Sequence, residues 1–155
     1  MSKIILGFDA GVNGGMAIIY PDGQSFANPF QSIDEYRDII IDILRYANSE
    51  KMQIKAYVEE LTGVVAGSLI TPPASFKLGR NLGQIQGILI GLKIPHELVC
   101  ARTWQKGLNG VAKLQGTAKK RKLKEIASSM FPDARVTLKT ADALLIANYG
   151  LKQNL

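Results

Sequence analysis

Residues 3–20, KIILGFDAGVNGGMAIIY, constrain the fold more than any other stretch of this chain. Residues 3–9 form a short apolar run closed by turn residues, the pattern of a buried strand. Ala10 to Gly15 then makes a tight turn, in which Asn13-Gly14 is a strong hairpin signal because both residue types accept positive φ. Residues 15–20 run back as a second strand, and Pro21-Asp22-Gly23 turns the chain again. Residues 24–30 make a weaker third strand, with Pro29 at an edge or an end because proline cannot donate to a ladder. The first strand ends on an acid, Asp9, set between Phe8 and Ala10. A carboxylate among apolar neighbours is costly unless it is paired or holds a cation.

The rest of the chain alternates helices with strands. Ser32 and Glu35 form a capping box, and Ile33, Tyr36, Ile40, Ile43, Leu44 and Ala47 recur at helical spacing, which predicts an amphipathic helix over 33–48. Residues 54–60 return to a strand, and residues 61–72 form a loop with apolar tips at Val64, Val65, Leu69 and Ile70. Pro72-Pro73 opens a helix to about Leu92, since proline is tolerated in a first turn. Gly79, Gly83, Gly87 and Gly91 give that helix a flat face for close packing. Residues 97–103 make a fifth strand leading into Trp104; residues 108–116 are a Gly-broken, basic and mobile loop; residues 117–130 are a helix with a basic start; a last helix begins near Thr140. The order β-β-β-α-β-α-β-α-α predicts an α/β fold whose mixed sheet is flanked by helices. A length of 155 residues fits one domain, 1–155.

Charge enters through its distribution. The net charge of +6 suits a polyanionic partner. Between Lys77 and Lys124 the only acid is Glu97, while Lys77, Arg80, Lys93, Arg102, Lys106, Lys113, Lys119, Lys120, Arg121, Lys122 and Lys124 accumulate. The first 60 residues instead hold the paired acids Asp34/Glu35, Asp38/Asp42 and Glu59/Glu60. A phosphate-holding surface beside a metal-holding site has this pattern. The single cysteine, Cys100, excludes an internal disulfide and a Cys-rich zinc site. The single histidine, His96, follows Pro95 in a loop and is assigned no catalytic role. No run reaches the roughly 18 apolar residues of a membrane span, and no leader pattern opens the chain, so a cytoplasmic protein is expected.

Three acids occupy unusual places: Asp9 at the end of the first strand, Glu59 at the end of the fourth, and Asp142 in the first turn of the last helix. Singly, each has a bland explanation. Asp9 could cap a turn, Glu59 could be solvated at a strand end, and Asp142 could complement the helix macrodipole. Together they imply a hard divalent cation, which takes oxygen ligands and relieves the repulsion among clustered carboxylates. Such an ion can activate water and stabilise the leaving oxygen of a phosphodiester.

LGFDAGVNGGMAII resembles the first hairpin of the ribonuclease H-like superfamily. AYVEEL, SFKLGRNLGQIQGILIG, TWQKGL and KTADALLIANYG then occur in the order found in the RuvC family of Holliday junction resolvases, so the resemblance covers nearly the whole chain. It implies a ribonuclease H-like five-stranded sheet, three antiparallel strands followed by two parallel ones. The short length and divergent loops are similar to those of phage-type members. The resemblance further implies a homodimeric, Mg²⁺-dependent endonuclease, with Mn²⁺ as a substitute, that nicks branched DNA with inversion at phosphorus and leaves a 5′-phosphate and a 3′-hydroxyl. Asp9, Glu59 and Asp142 match the catalytic metal ligands, while Glu60 falls on the other strand face. The family usually has an acid or a histidine one turn before the final Asp; here that position is Lys139, so three carboxylates are expected where the family has four.

The loop after the fourth strand enters the junction in the family, and Val64, Val65, Leu69 or Ile70 would be its wedge or, equally, core or dimer packing. Lys77 and Arg80 suit phosphate or dimer contact, and Lys106, Lys113, Lys119, Lys120 and Arg121 are the phosphate-binding candidates. Trp104 is expected in the core, with base stacking as the alternative. Two other functions compete. DAGVNGG also resembles the phosphate hairpin of sugar kinases and actin-like proteins, but those need two lobes, and ATP binding would discriminate. A catalytically inactive branched-DNA-binding protein, with Lys139 marking a decayed site, would bind junctions without Mg²⁺ and cut nothing.

Overall fold

The apolar run that opens the chain becomes the middle of a sheet. The computed structural model describes residues 2–61 and 71–155. Its strands are β1 (Lys3–Phe8), β2 (Gly15–Ile19), β3 (Ser25–Pro29), β4 (Gln53–Glu60) and β5 (His96–Cys100), in the spatial order β3-β2-β1-β4-β5. β1 pairs antiparallel with β2, and β2 with β3; β1 pairs parallel with β4, and β4 with β5. This is the predicted mixed sheet, three antiparallel strands followed by two parallel ones. β3 lies at an edge, as Pro29 requires.

Five helices complete the described residues: α1 (Ile33–Ser49), α2 (Pro72–Gly91), α3 (Ala101–Trp104), α4 (Gly116–Met130) and α5 (Ala141–Gln153). The Ser32 hydroxyl accepts from the Glu35 amide at 3.1 Å and starts α1 where the capping pattern places it. Thr71 caps α2 in the same way, ahead of Pro72 and Pro73.

Strand alternation divides the interior into two layers. Ile4, Leu6 and Phe8 of β1 and Ile54, Ala56 and Val58 of β4 pack with Tyr36, Ile40 and Ile43 of α1 and Ile85 and Leu89 of α2. Ile5 and Tyr57 point the other way, into a layer built from α5, Trp104, and Leu123 and Ala127 of α4. Burial on both faces explains why β1 reads as a continuous apolar run. Gly7 lets α5 lie directly on β1: a Cβ there would run into the Ala143 carbonyl and the Ala147 backbone.

The structure departs from the sequence expectations in several places: His96, expected in a loop, opens β5, and neither Asn13 nor Gly14 takes a positive φ in the first turn. The fifth strand ends at Cys100 rather than at residue 103, and the chain turns into the one-turn helix α3, which carries Trp104 inward. The 108–116 loop is irregular as expected, yet Val111 is buried in the α5 layer. The apolar tips Val64, Val65, Leu69 and Ile70 lie outside the described residues.

Candidate active site

Parallel pairing of β1 with β4 brings two strand ends together. Phe8 pairs with Val58, so Asp9 and Glu59 leave neighbouring strands at the same level. Both have the parity of Ile5 and Tyr57, and so face the α5 layer; Glu60 falls on the opposite parity. Asp142 enters from the first turn of α5, where the helix N-terminus favours a negative charge. The turn after Asp9 is tight because Gly14 comes back against it: a Cβ on Gly14 would stand 2.7 Å from the Asp9 carboxyl carbon.

The three acids share one electrostatic environment. Burial, then the nearby Asp142 carboxylate, raises the Asp9 pKa to about 6 against the opposing pull of Lys120 and the Gly11 amide. Burial, then Asp9 and Asp142, raises that of Glu59 to about 7, with Trp104 and Lys120 opposing. Desolvation and like charges thus act together on neighbouring carboxylates, the arrangement found where functional groups are tuned.

Among the described residues each acid has one nitrogen donor. The Gly11 amide donates to Asp9 Oδ1 at 3.3 Å, the Trp104 indole Nε1–H to Glu59 Oε2 at 2.9 Å, and Lys120 Nζ to Asp142 Oδ2 at 2.6 Å. Burial alone would lower the Lys120 pKa, but Asp142, followed by Asp9 and Glu59, raises it. Asp142 is only 6% exposed, and its Oδ1 is buried without a hydrogen-bond partner among the described residues. An orphaned buried carboxylate oxygen beside two further acids is the donor chemistry of a hard divalent cation, so the residues present fit Mg²⁺ or Mn²⁺. Among the described residues no three His, Cys, Asp or Glu side chains already stand in a metal-ligating arrangement. An ion would have to draw the carboxylates in.

A cleft of about 300 Å³ opens over Glu59 and Asp142, lined also by Gln105, Gly116, Lys119, Lys120 and Leu123. A neighbouring cleft of about 400 Å³ is lined by Asn13, Thr117, Lys120, Leu138 and Lys139. Of the basic residues singled out in the sequence, Lys119 and Lys120 therefore flank the acids, and Lys139 lines the neighbouring cleft with Lys120. Lys106, Lys113 and Arg121 are exposed farther along the α3–α4 segment. Lys77 and Arg80 are exposed on α2, whose Leu78 and Asn81 reach the Ala10–Gly11 turn.

Three roles in the site were missed in the sequence. Trp104 is buried as expected, but its N–H also holds Glu59. Buried Asn81 donates its side-chain amide to the Ala10 carbonyl, tying α2 to the turn after Asp9. Lys120, half-exposed to solvent, also pairs with an acid of the site. The SFKLGRNLGQIQG motif contained Asn81, and a polar residue between Leu78 and Leu82 was the available signal. Nothing local marked the other two. Lys139 is exposed, with its backbone amide held by Thr137 Oγ1.

No protein-family model and no curated protein matches the chain. Among the solved structures that resemble it are two that do so over nearly its whole length. One is Thermus thermophilus RuvC in complex with a Holliday junction substrate, with a TM-score of 0.59 and 14% identity over 97% of this chain and 96% of that one. The fold is the ribonuclease H-like fold of RuvC. A second Thermus thermophilus RuvC structure matches with a TM-score of 0.57 and 16% identity over the same shares of the two chains. At this identity the likeness covers the arrangement of strands and helices and leaves the chemistry to the side chains.

Proposed function

We propose that this chain is a divalent-metal-dependent endonuclease that nicks Holliday junctions and other branched DNA. The observation that carries the proposal is the orphaned Asp142 oxygen, buried beside Asp9 and Glu59 on the rim of a cleft edged by Lys119 and Lys120. Asp9, Glu59 and Asp142 would hold Mg²⁺ or Mn²⁺, which when bound would activate a water and stabilise the leaving oxygen. Trp104 fixes the Glu59 carboxylate, and the Gly11 amide steadies Asp9. Lys119, Lys120 and Lys139 would receive the phosphates on either side, with Lys106, Lys113 and Arg121 extending the track along the backbone.

A second copy of the chain is the proposed partner. Phe76, Gly79, Gly83, Gly87 and Ile90 recur at three- and four-residue spacing on α2. Phe76 is 71% and Ile90 64% exposed, and a Cβ on any of these glycines would meet nothing among the described residues. A flat apolar stripe of this kind suits close helix packing between copies, and a two-fold dimer matches the two-fold symmetry of a four-way junction. Among the described residues no helix is long and apolar enough to cross a membrane.

One observation favours a second reading, junction binding without cleavage: the Lys120 ammonium already neutralises Asp142, and Lys139 stands where a fourth acid is expected. Synthetic four-way junctions, forks, flaps and linear duplex, incubated with Mg²⁺ or Mn²⁺, separate the two. Branch-selective nicking that disappears in Asp9→Asn is expected. Tight junction binding with no cleavage in either metal would refute the nuclease and leave the binding protein.

A further inference from the structure

The peptide between Ala10 and Gly11 is held at both ends. Its N–H, from Gly11, donates to Asp9 Oδ1 at 3.3 Å, and its carbonyl, from Ala10, accepts from the side-chain amide of Asn81. A trans peptide is planar and sends its N–H and C=O in opposite directions. A carbonyl aimed at α2 therefore aims the N–H away from α2, towards the layer that Asp9 faces. Rotation of this one unit would lose both bonds together, and each bond polarises the peptide in the sense that strengthens the other.

Asn81 is out of place as packing. It is 4% exposed, on the face of α2 that carries Ile85 and Leu89 into the core, where an apolar side chain would be buried at no polar cost. Leu78, one turn earlier on the same face, lies against Gly11, so α2 covers the turn with one apolar and one polar contact. Other backbone groups of the turn are tied within the hairpin: the Gly14 amide donates to the Gly11 carbonyl at 2.9 Å, and the Asp9 amide to the Gly15 carbonyl at 3.0 Å. The Ala10 carbonyl, on a fully buried residue, points out of the turn to α2, and a buried carbonyl needs a partner.

We propose that Asn81 is a positioning residue for Asp9: by holding the Ala10 carbonyl it sets the plane of the peptide whose N–H orients the Asp9 carboxylate. The inference rests on the reading of Asp9 as a functional carboxylate and adds a residue on another element through which that carboxylate is placed.

Full-length wild type, Asn81→Leu, Asn81→Ala and Ile85→Val test it, each checked for retained fold by circular dichroism. Leucine is close to asparagine in shape and removes the donor; alanine removes it without adding bulk. Ile85→Val loosens the same face of α2 one turn on and takes away no hydrogen bond. In metal-free, ¹⁵N-labelled protein the Gly11 amide proton is expected to move upfield and lose protection against hydrogen exchange in both Asn81 variants, and to stay in place in Ile85→Val. Calorimetric titration is expected to show Mn²⁺ bound about tenfold more weakly by the Asn81 variants, as when a group behind a metal ligand is removed, and unchanged in Ile85→Val. An unmoved Gly11 amide in both Asn81 variants would overturn the inference. So would a moved amide with unchanged Mn²⁺ affinity, which would leave Asn81 a structural residue and the metal-dependent reading standing. An equal loss of affinity in Ile85→Val would overturn it as well, since loosening α2 would then be enough. Wild-type binding no stronger than that of Asp9→Asn would refute the metal-dependent reading instead, and the Gly11 amide, read without metal, would still support or overturn the placement by Asn81.

Discussion

Replacing Asp9 by asparagine should stabilise the metal-free protein at pH 8 while removing a ligand. Burial and the neighbouring Asp142 raise the Asp9 pKa from an ordinary 3.8 to about 6. Each tenfold change in proton affinity is worth about 1.4 kcal/mol, so the ionised side chain costs the folded state on the order of 3 kcal/mol. The folded protein holds this proton more tightly than the unfolded chain does. The contribution to stability is therefore fully present below about pH 4 and is lost as the pH rises through about 6. Asparagine has no proton to lose, and its side-chain oxygen can still accept from the Gly11 amide. For a chain of this size about 1 kcal/mol moves Tm by roughly 2–4 °C, so Asp9→Asn should melt roughly 6–12 °C higher than wild type at pH 8 in a chelator. The gap should shrink towards zero near pH 4. Saturating Mn²⁺ should raise the wild-type Tm, by about 2.7 kcal/mol of stability at one hundred times Kd, and leave the variant unmoved. Scanning calorimetry at the two pH values measures all of this. An Asn variant that melts with wild type at pH 8, or keeps the same gap at both pH values, would show that Asp9 does not sit in the desolvated, like-charged environment described.

Three further outcomes are expected. Mn²⁺ affinity should fall as the pH drops through the 6–7 window, because Asp9 and Glu59 must lose protons at about 6 and about 7 to act as ligands; titrations at pH 5.5 and 8 with equal Kd would contradict this. Trp104→Phe should keep the fold yet weaken Mn²⁺ binding by about 10–100-fold, since it frees Glu59 Oε2, and the check is calorimetric titration beside a circular dichroism melt. Gly7→Ala should cost about 1–3 kcal/mol or more in denaturant unfolding, because the added methyl meets the α5 backbone; an unchanged midpoint would mean that α5 does not lie against β1 as described.

Much of the fold was legible because its signals are local. The β1–β2 hairpin is written in two apolar runs separated by a short Gly-rich turn; Ser32 and Glu35 mark the start of α1; Pro72-Pro73 marks the start of α2. Each is a preference of a few neighbouring residues, and the observed elements begin within about two residues of the expected positions, as such preferences allow. The end of β5 was not legible. Residues 101–103 could extend the strand or turn into α3, and that choice depends on the tertiary partner that Trp104 finds in Glu59.

The sequence by itself determined which residues could carry the chemistry: three acids placed at two strand ends and one helix start, followed by a basic second half. Strand alternation also assigned Glu59 and Glu60 to opposite faces before any contact was known. Only the tertiary structure decided what each acid touches. Lys120 is 22 residues from Asp142, and Trp104 is 45 residues from Glu59. No periodicity or cap links residues at such separations. They meet because parallel pairing aligns β1 with β4, Gly7 admits α5 onto that pair, and α4 packs on α5, so that long-range packing sets the charge and the hydrogen bonding of the site.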